Sequence, residues 1–576
     1  MPIITEVWRN TYYDSVTLML GSSMMEALPG IDEAMVLMGT DRNDTVIRAS
    51  GLLADGCGEF GSNDIVIGMR ADSEQAARDA IAELERFLTS KKGSGNRKAA
   101  AHTLDGALRE DPGIDLAMIS VPGRYARAEA EKALDAGLHV MLFSDNVALE
   151  DEIALKDRAL EKGLLMMGPD CGTAIVNGCA LGFANVVRRG NIGLVGAAGT
   201  GLQEITVLID RLGGGVSQAL GTGGRDLKED VGGRMMGLCL EALRDDPATE
   251  VIAILSKPPH PSVVEKMKRI IATIGKPVVA CFLGSDANAL AGTHAVFAKD
   301  CEECARIAVR LSGVELPEKD EAWIAETAAR EAALLAPGQR WLRGLYSGGT
   351  LCYEAMLAFR DAGIPAYSNI AIDADLLLDD PDVSREHTLV DMGEDFFTNG
   401  MPHPMIDLRM RVERIARDCA QPDVAILLLD CVGGYGTNDD PAGALAPAIV
   451  AAKDAAAAEG RHLCVIASVT ASEADPQVRS AQEETLRSAG AIVCDCNAQA
   501  VRLAFAILDR LDTAEPVAEN RVNALFASRL AIANVGVDLF AEAFRAQETP
   551  CVQVEWKPPA GGNKKMADLL SKLKDL

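Results

Sequence analysis

Two stretches of this chain combine residue types and spacing that can hold an anion. The run Asn191-Ile-Gly-Leu-Val-Gly-Ala-Ala-Gly-Thr-Gly-Leu-Gln-Glu204 reads as a short apolar strand, a glycine turn and a helix opening at Thr200. Small residues let the backbone N–H groups turn toward one point. A helix start adds unsatisfied N–H groups and a partial positive charge, so the junction is a natural seat for phosphate or carboxylate. Gly344-Leu-Tyr-Ser-Gly-Gly-Thr-Leu-Cys-Tyr-Glu354 repeats the pattern. One such turn is an ordinary strand-to-helix connection; two in one chain suggest paired seats that trap a small doubly charged group. The expected phosphate ligands are Gly199, Thr200, Gly201, Gly348, Gly349 and Thr350. Arg225, in Gly221-Thr-Gly-Gly-Arg-Asp226, is their nearby cation.

The 14 cysteines are scattered, many inside apolar runs such as Val279-Ala-Cys281-Phe, where a thiol behaves as a small core residue. Cys301-Glu-Glu-Cys304 and Cys494-Asp-Cys496 are close pairs, yet neither has the complementary His or Cys pair that a zinc site needs. No metal site is expected.

The elements that must position these junctions are those of an α/β protein. With 576 residues the chain needs several cores. Residues 1–90 read as a small α/β domain, and Lys91-Lys-Gly-Ser-Gly-Asn-Arg-Lys98 as a linker. Residues 103–185 alternate apolar strands and amphipathic helices, the mark of a parallel sheet covered by helices. Ligands in such sheets sit beyond the carboxyl ends of strands, so Val121-Pro-Gly, Ser144-Asp-Asn146 and Pro169-Asp-Cys171 are expected on one rim. Residues 190–313 and 340–512 carry the two junctions and repeat one plan, an internal duplication separated by a helical spacer over 317–337. Residues 520–576 form a tail.

Asp and Glu number 84 against 56 Lys and Arg, a formal charge of −28 that argues against nucleic-acid or anionic-membrane partners. The first residues lack a signal-peptide pattern and no apolar run reaches membrane-spanning length, so a cytoplasmic location is expected.

Ala117-Met-Ile-Ser-Val-Pro-Gly, Phe143-Ser-Asp-Asn, Met167-Gly-Pro-Asp-Cys-Gly, the 191–204 junction, Gly221-Thr-Gly-Gly-Arg-Asp and Pro-His403-Pro-Met-Ile-Asp together resemble the FdrA proteins, relatives of succinyl-CoA synthetase. The likeness extends to the tail Pro-Pro-Ala-Gly-Gly-Asn-Lys-Lys565. It implies a Rossmann-like CoA-binding-type domain at 103–185 and flavodoxin-like ligase domains at 190–313 and 340–512. Two helix starts, one per ligase domain, would hold phosphate between them. It further implies a CoA-type cleft at Pro122, Ser144, Asn146 and Cys171. His294 would stand near the synthetase's phosphohistidine, and His403 in the second ligase domain's loop. Where the synthetase has a glutamate that orients the phosphohistidine, this sequence has Ser256-Lys257-Pro-Pro. An ammonium there adds a direct phosphate contact, so Lys257 and His403 are the expected catalytic pair.

The resemblance leaves three functions open. FdrA proteins are commonly labelled acyl-CoA synthetases, and some are regarded as subunits of an oxamate carbamoyltransferase in allantoin catabolism. No segment is long enough for an ATP-grasp domain. The favoured expectation is therefore a carbamoyltransferase subunit that takes carbamoyl phosphate as substrate, requires no cofactor within this chain, and works with other subunits on a small acid or amide acceptor. CoA binding stays open. An acyl-CoA synthetase needing an ATP-grasp partner and a non-catalytic scaffold are the alternatives.

Overall fold

Two parallel sheets with the same strand order carry the two junctions. In the computed structural model the first uses strands Arg189–Gly196, Val216–Gly221, Val251–Ser256, Val278–Phe282 and Val296–Phe297, arranged second, first, third, fourth, fifth. Trp341–Tyr346, Thr388–Asp391, Val424–Val432, Cys464–Thr470 and Ile492–Cys494 repeat that order. This is the flavodoxin-like arrangement, so the expected α/β class and duplicated flavodoxin-like lobes are what the chain folds into. The cause is visible in the strands. Every residue of Val251–Ser256 and of Val424–Val432 is buried, as a sheet covered by helices on both faces demands.

The structure describes residues 1–576 apart from 12, 14, 55–56, 91–100, 102, 320, 399–400, 513–524, 527 and 556–576. The expected linker at 91–98 and the Pro-Pro-Ala-Gly-Gly-Asn-Lys-Lys segment lie outside the described residues. Met1–Arg510 form one compact unit and Leu511–Leu576 another. The second unit holds a parallel strand pair, Ile532–Val535 with Cys551–Val554, and the helix Asp538–Ala546.

Within the first unit, Ile3–Trp8, Ile31–Met38 and Ile65–Ala71 form an antiparallel sheet with the third strand central. Helices Ser15–Glu26 and Glu74–Ser90 cover it through Leu18, Met25, Ala77 and Leu84. A three-stranded parallel sheet follows: Leu116–Ile119, His139–Leu142 and Met166–Met167, with helices Gly123–Asp135 and Leu149–Lys162. The chain then forms a hairpin, Thr173–Val176 with Cys179–Gly182, which pairs antiparallel against Val216–Gly221 and extends the first lobe's sheet to seven strands. The boundary expected at 185–190 is thus crossed by hydrogen bonds. Among the described residues no helix is long and apolar enough to cross a membrane.

Candidate active site

The two junction helices, Gly199–Arg211 and Gly349–Asp361, meet start to start. A Cβ on Gly201 would lie 2.7 Å from Thr350 Cγ2, and one on Gly348 would lie 2.5 Å from Thr200 Cγ2. Each threonine methyl therefore fills the space that the opposite glycine leaves, and a larger residue at Gly201 would force the helices apart. The expected convergence is present, but the starts touch. An anion has to sit beside them rather than between them.

The two starts also differ. At the second, the buried carboxylate of Asp430 accepts the N–H of Ser347 at 2.9 Å and of Gly348 at 2.7 Å, together with the Ser347 hydroxyl at 3.1 Å. Arg411, equally buried, donates to Asp430 at 2.8 Å. Asp391, at the end of its strand, lies against Gly349 and accepts from Gly393 N at 2.9 Å. Burial pushes Asp391 up to about 7; the Gly393 N–H and Lys257 pull it down, while Asp430 and Glu394 push it higher. The expectation that Gly348, Gly349 and Thr350 form an anion seat is corrected, because two carboxylates already stand there.

At the first start the N-cap residue Ala198 has no side-chain cap. The N–H of Ala197 goes to Leu255 O, and that of Leu202 closes the first helical turn onto Ala198 O. The amides of Ala198, Gly199, Thr200 and Gly201 lie between them, at the positive end of the helix. Ser256, at the adjacent strand end, has a buried hydroxyl without a partner among the described residues. Lys257 follows it, exposed, with its ammonium 4.9 Å from the centre of the Tyr353 ring on the second lobe's helix. Its charge lowers the pKa of both Asp170 and Asp391, so it stands among carboxylates from two sheets.

Asp170 lies on the expected rim. Desolvation, then Asp145 and Asp395, push its carboxyl up to about 6 against Arg225 and Lys257. Burial, Asp145 and Glu394 raise Asp395 as well.

His403 belongs to the second lobe, in the loop that follows strand Thr388–Asp391. Its Nδ1 accepts from Met405 N at 3.2 Å, and its ring packs 5.2 Å from that of Phe183. Burial, and then Arg411, lower it to about 4. The neutral ring with an acceptor at Nδ1 carries its proton on Nε2, which makes His403 a hydrogen-bond donor near pH 7. Nε2, Ser347 O and Asp391 Oδ1 lie 2.7, 2.9 and 3.2 Å from the point a Gly393 Cβ would occupy. Three polar atoms thus surround a space that exists because residue 393 has no side chain.

Other expected residues are placed elsewhere. His294 bonds to Lys276 O at 3.3 Å, at the amino-terminal edge of strand Val278–Phe282 and so on the side of the sheet away from the helix starts. It is no phosphohistidine for this site. Arg225 is held at 2.8 Å by both Glu152 and Val147 O, and its charge acts on Asp170 and Asp395. Cys171 is buried, donates weakly to Thr173 O and Gly221 O, and is pushed by burial up to about 12, so it packs rather than reacts. Ser144 ties its loop to Val121 O. Helix Gly123–Asp135 starts at Pro122 without a side-chain cap, beside Asn146, Arg124 and the half-exposed Tyr125.

Comparison with known proteins sets this duplicated flavodoxin-like pair beside the CoA-ligases. The family model described as CoA-ligase matches residues 345–507, and that described as CoA binding domain matches 187–284. YahF of Escherichia coli (strain K12), described as uncharacterized, is 45% identical over 489 residues, covering 84% of this chain and 94% of that protein. The chain belongs to the FdrA family, of which YahF is a member.

The alpha subunit of the ADP-forming succinate–CoA ligase of Aquifex aeolicus (strain VF5) is 29% identical over 32% of this chain and 60% of its own length. The ADP-forming sulfoacetate-CoA ligase subunit SqwL of Acholeplasma sp is 27% identical over 32% and 62%. The chain thus spans about three fifths of these ligase subunits. These matches overturn the carbamoyltransferase expectation and its carbamoyl phosphate, since they point to CoA-ligase relatives. The geometry adds a reason: the paired grip on which that expectation rests is lost where Asp430 fills the second start.

Residues 1–103 match a model described as AllF, heavy metal-associated domain. This segment contains one cysteine, Cys57, and one histidine, His102. Among the described residues no group of three metal-capable side chains gathers anywhere. The donor set does not fit a heavy-metal site, and no chemistry is derived from one.

Proposed function

We propose that the chain is the CoA-handling subunit of an acid–CoA ligase and that a separate subunit supplies the nucleotide chemistry. The observation that carries this reading is the open first helix start, flanked by Lys257 of its own lobe and by His403 and Asp391 of the other, within lobes matched to CoA-binding and CoA-ligase families. On this reading an acyl phosphate rests its phosphate on the amides of Ala198–Gly201, with Lys257 as counter-charge. His403 Nε2–H donates to the acyl oxygen as negative charge builds on it. The thiol of CoA attacks the acyl carbon, the carbon–oxygen bond to phosphate breaks, and inorganic phosphate leaves. Asp170 or Asp391, both tuned near neutrality, takes the thiol proton. CoA lies along the 121–125 and 144–146 rim, its phosphates at the uncapped start of helix Gly123–Asp135 and its adenine on Tyr125.

The test is to supply an acyl phosphate such as succinyl phosphate with CoA and to follow thioester and phosphate together. Equal formation of both is expected. Absence of thioester in the presence of the partner subunit and nucleotide as well would sink the reading.

A further inference from the structure

Glu204 and Glu354 each stand five residues past the first helical glycine of their junctions, Gly199 and Gly349. Both are buried, 2% and 6% exposed. Each accepts from the first N–H of the last helix of the opposite lobe. Glu204 takes Asn497 N at 3.1 Å, at the start of Asn497–Asp512; Glu354 takes Cys301 N at 2.9 Å, at the start of Cys301–Leu311. Their second oxygens accept from Thr470 Oγ1 at 2.6 Å and from Asn497 Nδ2 at 2.7 Å. Asn497 thus touches both carboxyls, through its backbone and its side chain. Its side-chain oxygen is buried without a partner among the described residues.

The exchange is reciprocal. A carboxylate near a helix start is stabilised by the positive end of that helix, and here each helix start belongs to the other lobe. Sliding one lobe along the other would strip two buried carboxyls and two helix starts of partners at once, and such groups are costly to leave unmet. The same two helices bear the Gly201–Thr350 contact. We propose that Glu204 and Glu354 are the positioning residues of the paired helix starts, holding the lobes in register by exchanging carboxyls between them. The inference stands apart from the acid–CoA ligase reading. Burial and then Asp300 push Glu354 up to about 7, in keeping with a carboxyl compensated by neutral donors.

The experiment is hydrogen exchange on the full chain, in Glu204→Ala and Glu354→Ala, followed peptide by peptide. An alanine accepts from neither donor, so the backbone N–H at each site loses its partner. In Glu354→Ala, exchange should rise about tenfold at Cys301–Glu303, in the lobe that was not altered. In Glu204→Ala it should rise at Asn497–Gln499. A rise confined to the substituted lobe, or spread evenly over the chain, overturns the proposal. Thr470→Val removes one hydroxyl donor to Glu204 and should raise exchange at Asn497–Gln499 by a smaller factor; no change there also overturns it. Binding of inorganic phosphate, read in parallel, separates the two ideas: crossed exchange without phosphate binding in the parent chain rejects the functional reading and leaves this one intact.

Discussion

The starts of the two junction helices descend from one plan and have parted in chemistry. At Gly199–Gly201 the first-turn amides, Lys257 and a Ser256 hydroxyl without a partner among the described residues leave room for an outside anion. At Gly348–Thr350 the protein supplies its own anion, Asp430, and steadies it with Arg411. The difference teaches that a glycine turn and a helix start are only half of a binding site. The strand end beside them decides whether the positive pole is kept for a ligand or satisfied internally: Leu255-Ser256 carries no carboxylate, whereas Leu429-Asp430 does.

The contrast is broken most strongly by Arg411→Met. Asp430 then stays buried without its cation, and a loss of about 3–5 kcal/mol in denaturant unfolding is expected, as for other buried pairs stripped of one partner. A loss below about 1 kcal/mol would mean that the two backbone N–H groups suffice. Gly201→Ala comes next: its methyl meets Leu255 Cδ2 at 2.5 Å and Thr350 Cγ2 at 2.7 Å, and about 1–3 kcal/mol should be lost. Thr350→Ser in the same chain should restore part of it, because the methyl it removes is one of the two obstacles. No recovery in the double variant would show that the two starts are not in contact.

Asp391 gives the comparison a pH signature. Its folded pKa, about 7, lies above the ordinary carboxylate value of 3.8, so it favours the fold most at low pH. That contribution is lost as pH rises from about 4 to about 7. Asp391→Asn should remove one proton from the pH dependence of unfolding and gain about 1–3 kcal/mol relative to the parent above pH 7. Parallel curves would place the carboxylate in a better-solvated setting. Lys257→Met should leave the unfolding midpoint within about a degree, since the side chain is exposed, and slow thioester formation about tenfold. Unchanged turnover would move the anion away from the first start.

Much of this was legible in the residue string. The paired junctions, the duplicated parallel sheets and the convergence of the helix starts follow from Gly-Thr spacing and from apolar runs that recur in the same order; that the starts touch, with no gap for an anion between them, does not. Asp430 was not legible. It closes an apolar strand, and the N–H groups it serves lie 82 and 83 residues earlier, a pairing that only the fold creates. Arg411 sits in a helix of mixed charge where any arginine reads as solvent-facing. Lys257 was singled out through a substitution at a resembling position. The role expected of His294 failed because sequence proximity does not say at which end of a strand a side chain lies; Arg225 lies at the right end but is paired with Glu152, a partner 73 positions away in the sequence. The carbamoyl reading rested on two equal seats, and one buried aspartate removes that equality.

The short hairpin Thr173–Gly182 has a practical corollary. It closes the edge of the first lobe at Val216–Gly221, and the residues just after it bridge Ala184 to Tyr435 and set Phe183 against His403. A fragment cut to begin at residue 187, where the CoA-binding match starts, would present an uncovered β-edge to its neighbours in solution. Anyone dissecting the chain for expression should cut before residue 173 or expect the product to clump.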